Sequence, residues 1–268
     1  MRQEDRVRGK RGPLLRRPAL TSSPLPPSLV PRPALVVFDL DDTLLDHRAA
    51  ERAALADVHR MHAEHLGHHD VVHVQETYHA HNVPLWRDFG AGRITATDLK
   101  RLRSERLLSA LGAGGLDPET FSRDYLARYA EHWRWADGAL DAYRAVAERF
   151  PVGILTNGFS AQQRAKFARL PEAEALAAFA VISDEVGVRK PDPRLFDHVL
   201  GLARDVLGRP ALAPRDVLYV GDSFHSDVEG GVGAGWRVAW LRGDEARAPE
   251  GCTVVTGWDD LLALLAVA

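Results

Sequence analysis

Residues 35 to 46 read LVVFDLDDTLLD, and three carboxylates, Asp39, Asp41 and Asp42, stand directly after the apolar run Ala34 to Phe38. A continuous apolar run that turns polar only at its exit suits a strand buried on both faces of a parallel sheet. Acidic groups crowded at one strand end repel each other, so the cluster calls for a cation, a proton or a phosphoryl-like partner to relieve it. Five further runs have the same character: VGILT (152 to 156), AVIS (180 to 183), VLYV (217 to 220), RVAWL (237 to 241) and the weaker CTVV (252 to 255). Each leads into a loop and then a helical stretch, which predicts an α/β fold built on a parallel sheet.

Between the first and second runs lie more than a hundred residues without a comparable strand signal. Apolar spacing predicts helices over 48 to 66, closing at Gly67, and over 97 to 111 and 118 to 132. The economical arrangement is a helical insertion that leaves the sheet after Asp46 and returns near Trp135-Ala136-Asp137-Gly138. The expected organisation is therefore a core of residues 34 to 47 and 136 to 268, with a mobile helical domain of 48 to 135 over the end of the first strand. Residues 1 to 33 are rich in proline and arginine and lack hydrophobic periodicity, as in a disordered leader. They also lack the apolar stretch of a secretory signal. A solvated tail is the plain reading, beside a loose likeness to a transit peptide or polyanion-binding arm.

The chain of 268 residues, 46% hydrophobic and 26% charged, is long and apolar enough to bury a full core. Its net charge of -3 argues against the broad basic surface that nucleic acid binding needs. A single cysteine, Cys252, excludes an internal disulfide framework and fits a reducing cytoplasm. No apolar run approaches the roughly 20 residues of a membrane span.

Ligands of open parallel sheets bind beyond the carboxyl ends of the strands, and four polar clusters fall there. Asp39 and Asp41 follow the first strand, Thr156-Asn157-Gly158 the second, Lys190 lies beyond the third, and Gly221-Asp222 follow the fourth. Carboxylates with a carbonyl and a phosphate oxygen suit a hard cation such as Mg2+. Phosphoryl transfer needs a nucleophile in line, cancellation of charge on the equatorial oxygens and a proton for the leaving group. Asp39 can be the nucleophile, and Asp41 can protonate the leaving oxygen and later take a proton from water. The Thr156 hydroxyl and the amides of Asn157 and Gly158 can hold phosphate oxygens. They are helped by a helix starting near Ser160, where Ser160 and Gln163 have capping-box spacing. Lys190 supplies positive charge between nucleophile and phosphate, and Thr43 is expected to hydrogen-bond backbone in the turn.

These motifs, DLDDT (39 to 43), LTNG (155 to 158), VRKPDP (188 to 193) and VGDSFHSD (220 to 227), stand in the order of the haloacid dehalogenase (HAD) superfamily, which the chain resembles from residue 34 onward. The resemblance implies a Rossmann-like doubly wound core with an inserted helical cap. It implies Asp39 as nucleophile and metal ligand, Asp41 as acid/base lending its backbone carbonyl to the metal, and Asp222 as the third protein ligand of Mg2+. Asp227 would orient the metal waters or hold Lys190, a role compatible with capping the helix ahead of Gly230-Gly231. The finer pattern, in ILTNGFSAQQRAKF (154 to 167), SDEVGVRKPDPRLF (183 to 196) and NVPLWRDFGAGRIT (82 to 95), looks like the pyrimidine 5'-nucleotidase and N-acylneuraminate-9-phosphatase subgroup.

The implied activity is Mg2+-dependent hydrolysis of a small phosphorylated metabolite by a monomer or homodimer, a nucleoside 5'-monophosphate being the first substrate to consider and a sugar phosphate the second. A hydrolytic dehalogenase lacks the acid two residues after the nucleophile, so Asp41 counts against it. A phosphomutase and a catalytically silent phospho-ligand-binding protein are the remaining alternatives. Trp86, with Arg87 and Arg93, either contacts substrate or is a packed tryptophan beside surface arginines. Nine of the 12 histidines lie between His47 and His81. His62, His65 and His69 have ligand-like spacing, but Gly67 interrupts their helix and a solvated surface explains them better. His47, just past the first motif, is a candidate to face the substrate.

Overall fold

The computed structural model describes residues 32–267. The leader thus lies outside the described residues apart from Arg32 and Pro33; Arg32 donates to Leu265 O and lies over the Phe150 ring.

The six apolar runs form six strands: β1 (Leu35–Phe38), β2 (Val152–Thr156), β3 (Phe179–Ile182), β4 (Val217–Gly221), β5 (Arg237–Leu241) and β6 (Cys252–Val255). They pair in parallel in the order β3-β2-β1-β4-β5-β6. Alternation along each strand sends Val36, Phe38, Ile154, Leu218 and Val220 to one face, and Leu35, Val37, Leu155, Val217 and Tyr219 to the other. With both faces buried, continuous apolar runs rather than alternating ones are what the sheet requires.

After β1 the chain builds the helical insert: α1 (His47–Met61), α2 (Ala63–Leu66), α3 (Val71–Gly90), α4 (Ala96–Ala110) and α5 (Pro118–Glu131). Side-chain caps start four of these. Asp46 caps α1, Asp70 caps α3, Thr95 and Asp98 form a capping box on α4, and Asp117 caps α5 ahead of Pro118. Two details differ from the spacing argument. The helix expected over 48 to 66 breaks at His62, which leaves helical geometry at φ -110 and ψ 39. Helix α3 runs through Pro84 and was not foreseen as an element. A proline inside a helix removes one backbone bond. Here the buried stripe of Val74, Tyr78, Leu85 and Phe89 keeps the helix whole, because packing outweighs local propensity.

The chain then passes through α6 (Ala139–Ala147) into β2, and continues through α7 (Ser160–Arg169), α8 (Pro171–Ala175), α9 (Ser183–Val186), α10 (Pro193–Val206), α11 (Gly230–Gly233) and α12 (Trp258–Leu264). Helix α7 covers the Phe38 face through Phe167, and α10 covers the Leu35 face through Leu195, Phe196 and Val199. The interior of the insert joins the Phe38 face as one apolar body. Strand order reverses at β1, from which the chain goes to β2 and β3 on one side and to β4, β5 and β6 on the other. Such a switch point opens a crevice beyond the strand ends. The Asp39 amide donates to Val220 O at 2.8 Å, which extends the ladder one residue past β1 and brings Asp39 beside the Gly221-Asp222 exit of β4. Among the described residues no helix is long and apolar enough to cross a membrane.

Candidate active site

Asp39 continues the alternation of Leu35 and Val37, so its carboxylate leaves on the face covered by α10. There Lys190 Nζ donates to Asp39 Oδ1 at 2.7 Å, to Tyr219 Oη at 2.7 Å and to Asp227 Oδ1 at 2.8 Å. The Tyr219 hydroxyl also lies 3.1 Å from both Leu155 O and Asp227 Oδ1. Thr43 Oγ1 donates to Asp39 Oδ2 at 3.3 Å, so this hydroxyl serves the carboxylate and not the turn backbone expected for it. Burial alone would discharge Lys190, but Asp227 and Asp39 more than offset it and hold the ammonium above its ordinary range.

Asp39, Asp222 and Asp227 each offer an oxygen, and the three oxygens lie within 4.8 Å of one another. Burial raises the Asp39 carboxyl to about 7 against the pull of Lys190, with repulsion from Asp227 adding to it. Burial, then repulsion from Asp227 and Asp39, raises Asp222 to about 8. Two acids this reluctant to ionise beside a third carboxylate form a set that a hard divalent cation satisfies, with no nitrogen or sulfur donor required. The residues therefore fit Mg2+. Asp227 is already engaged, since its Oδ2 accepts from the Ser223 amide at 2.9 Å and its Oδ1 from Lys190. Among the described residues the Asp222 carboxylate has no hydrogen-bond donor, which leaves it the freest of the three to meet a cation. No other group of three such side chains capable of holding a metal occurs among the described residues.

Asp41 turns to the opposite face. Lys166 Nζ, from α7, donates to its two oxygens at 2.6 and 2.8 Å, and Gln163 Nε2 donates to Oδ2 at 3.0 Å. Burial works against ionisation of Asp41, yet Lys166, His47 and Gln163 hold its carboxyl below the usual range. Gln163 Nε2 also reaches Thr156 Oγ1 at 2.7 Å and Asn157 O at 3.2 Å. The expected capping box is therefore not formed. Phe159 stands at the cap position, and Ser160 bonds through its amide to Asp184 and through its hydroxyl to Glu185, while Gln163 points into the site.

Asn157 ties two loops together, its Nδ2 donating to Lys190 O and its Oδ1 accepting from the Lys190 amide, both at 3.0 Å. Gly158 sits at φ +145, where a Cβ would lie 2.9 Å from Gln163, so both backbone and space demand glycine there. Among the residues expected at the site, Asp39, Asp41, Thr156, Asn157, Gly158, Lys190, Asp222 and Asp227 gather at this sheet edge. Trp86 instead joins Phe89, Leu85 and Leu99 of the insert in an apolar cluster with Phe159 of the core, its ring 5.5 Å from that of Phe159. Arg189 lies 3.7 Å over the Phe89 ring, and Lys100 4.3 Å over Phe159. The insert is thus seated on Phe159, directly after the second motif, and on Arg189 within the third. Arg93 pairs with Asp88, and His47 bonds the Tyr129 hydroxyl beside Glu51. His62 bonds Asp124 and His69 bonds Leu111 O, so these rings have separate partners.

A sequence model of the hydrolase family described as haloacid dehalogenase-like hydrolase matches residues 33–235, a span that contains every residue of this constellation. The chain belongs to this family. Among curated relatives of this HAD chain, the pyrimidine 5'-nucleotidase YjjG of Escherichia coli is 35% identical over 66% of the chain and 74% of that protein. Among solved structures, magnesium-bound YfnB of Bacillus subtilis, in which interdomain movement is described, aligns with a TM-score of 0.70 at 25% identity over 87% of this chain and 99% of that one. A dehalogenase solved with an intermediate complex aligns at TM-score 0.65 and 22% identity over 89% of this chain and 99% of that one, a likeness of fold.

Three side chains of this HAD site have no role in the sequence reading, and a fourth, Gln163, has a different one. Tyr219 reads as one more apolar residue of β4, and Lys166 stands in ILTNGFSAQQRAKF without a role of its own. Gln163 was seen only as a cap, and Phe159 only as part of the TNGF run. The usable signal was the spacing of Gln163 and Lys166, which lie three apart and so share one helix face.

Proposed function

We propose that the protein is a Mg2+-dependent phosphatase of small phosphate monoesters that works through an aspartyl-phosphate. The observation that carries this reading is the placement of Asp39. One oxygen is held by Lys190 and the other by Thr43, at the edge of an all-carboxylate cluster suited to a hard cation. Asp39, Asp222 and the Asp41 carbonyl would hold the magnesium ion, with Asp227 bracing the set, and the ion would neutralise charge on the phosphoryl oxygens.

The remaining chemistry belongs to the chain. An Asp39 oxygen attacks phosphorus while the bond from phosphorus to the alkoxy oxygen breaks. Asp41 supplies the proton that the departing alkoxide takes up. The Thr156 hydroxyl and the Asn157 and Gly158 amides orient the phosphoryl oxygens, and Lys190 balances the charge that collects beside Asp39. Water then attacks phosphorus, Asp41 accepts its proton, and the link to Asp39 breaks. Asp41 rests ionised beside Lys166, the form that accepts a proton in this second step. A dianionic phosphate arriving nearby favours its protonation for the first. The insert, residues 48 to 135, acts as the cap that excludes bulk water while the ester is consumed.

Asp41 separates this reading from a dehalogenase, which has no use for an acid at that position. Similarity to the nucleotidase YjjG makes a pyrimidine nucleoside 5'-monophosphate the first substrate to test and a sugar phosphate the second. The single cysteine supports a cytoplasmic location.

Phosphate release from p-nitrophenyl phosphate and from nucleotide and sugar phosphates, with and without Mg2+, tests the reading. Asp39→Asn is expected to lose turnover by about 10⁴-fold or more while still binding phosphate analogues. Acid-quenched wild type should carry label from a 32P substrate on Asp39. Near-normal turnover in Asp39→Asn, or label on another residue, overturns the assignment.

A further inference from the structure

Lys166 is almost fully enclosed, its side chain 3% exposed, on a helix whose neighbouring Arg164 side chain is 44% exposed. Burying an ammonium costs several kcal/mol unless a partner answers it. Among the described residues the hydrogen-bond partner of Lys166 is Asp41 alone, through both carboxylate oxygens. Two rings of the insert flank it, with the Tyr129 ring centroid 5.5 Å and the Trp133 centroid 5.8 Å from Nζ. Ring faces attract a cation without supplying a competing acceptor. Gln163, one turn earlier on the same face, grips Asp41 Oδ2 at 3.0 Å and Thr156 Oγ1 at 2.7 Å. Neither contact is needed to close the sheet or to cap α7. Together they hold the Asp41 carboxylate in one orientation beside Thr156, the last residue of β2.

We infer that Lys166 is a positioning residue for the reaction, one that aims the Asp41 carboxylate at the leaving oxygen and is itself seated against the insert by Tyr129 and Trp133. The inference rests on the phosphatase reading and adds to it a group outside the four motifs. Its consequence is selective. An ester whose leaving group departs as a stable phenolate needs little proton transfer, whereas an alkyl ester depends on a well-aimed acid. Loss of aim should therefore be felt by alkyl esters and not by aryl ones.

The test compares Lys166→Met with wild type on p-nitrophenyl phosphate and on the best alkyl phosphate of the wild type, with inorganic phosphate as a competitive probe of the binding site. Expected is a fall in kcat of about 10²-fold on the alkyl ester and of no more than about threefold on the aryl ester. KM and the inhibition constant of phosphate should stay within about twofold of wild type. Lys166→Arg, which keeps a cationic donor, should recover most of the alkyl-ester rate. If Lys166→Met does not fold, Lys166→Gln is put through the same comparison. Equal loss on both esters, or no loss on either, overturns the inference while leaving the phosphatase reading intact. A wild type inert towards both esters removes the phosphatase reading and this inference with it.

Discussion

Two lysines are buried at the carboxyl end of the sheet, one on each face, and each is paired with an aspartate of the same loop. Lys190 sits on the α10 face among Asp39, Asp227 and the Tyr219 hydroxyl, all of them core groups. Lys166 sits on the α7 face with Asp41 and two aromatic rings of the insert region. Lys190 neutralises charge that would otherwise be stranded in the core, so the fold itself depends on it. Lys166 answers a carboxylate whose side chain is still 26% exposed, so what it governs is a pose. Similar pairings thus serve different ends, according to whether the acid could find water if the lysine were gone.

The largest expected effect follows directly. Lys190→Met leaves Asp39 and Asp227 facing each other without a counter-charge and should cost about 3 to 5 kcal/mol in urea unfolding, together with loss of turnover. Lys166→Met should cost about 1 kcal/mol or less, because water can reach Asp41. Equal losses would break the contrast between the two faces.

Magnesium gives an intermediate effect. In the metal-free protein Asp39, at about 7, and Asp222, at about 8, lie above the ordinary 3.8. Their contribution to stability is complete below that ordinary value and is lost as pH rises through the folded-state values. A cation that binds the ionised pair opposes this loss and displaces protons. At about 100 times its dissociation constant, Mg2+ should stabilise the protein by about 2.7 kcal/mol. Scanning calorimetry should show that gain growing with pH up to about 8 and shrinking in Asp222→Asn. A gain independent of pH would separate the ion from these carboxylates.

The smallest effect belongs to the seat of the insert. Phe159→Ala removes ring contacts with Trp86 and Phe89 and should cost about 1 kcal/mol. It should also raise KM several-fold more than it lowers kcat, as expected when closure of the insert is weakened. A kcat loss larger than the change in KM would show that Phe159 serves the chemistry more than the seat.

Much of the core was legible because buried parallel strands must be apolar throughout. All six runs agree with the observed strands to within one residue at either end, and those of β2, β5 and β6 coincide with them. The motif residues were legible because strand exits are where such a sheet can expose polar groups. Helix α3 was not, since Pro84 argued locally against it and only burial of Tyr78, Leu85 and Phe89 argues for it. Thr43 and Ser160 were assigned local roles by their spacing, and both bond partners outside those roles.

Sequence by itself determined the sheet, the helical insertion and the set of acids and the lysine at the strand ends, because hydrophobic periodicity and motif order are properties of the chain read in one dimension. Tertiary structure alone decided that Asp39 and Asp41, two residues apart, meet different lysines on different faces, that Tyr219 joins Asp227 around Lys190, and that Trp86 packs on Phe159. Those outcomes depend on contacts between residues up to 151 positions apart, and such contacts are set by how helices cover the two faces of the sheet, which local spacing does not encode.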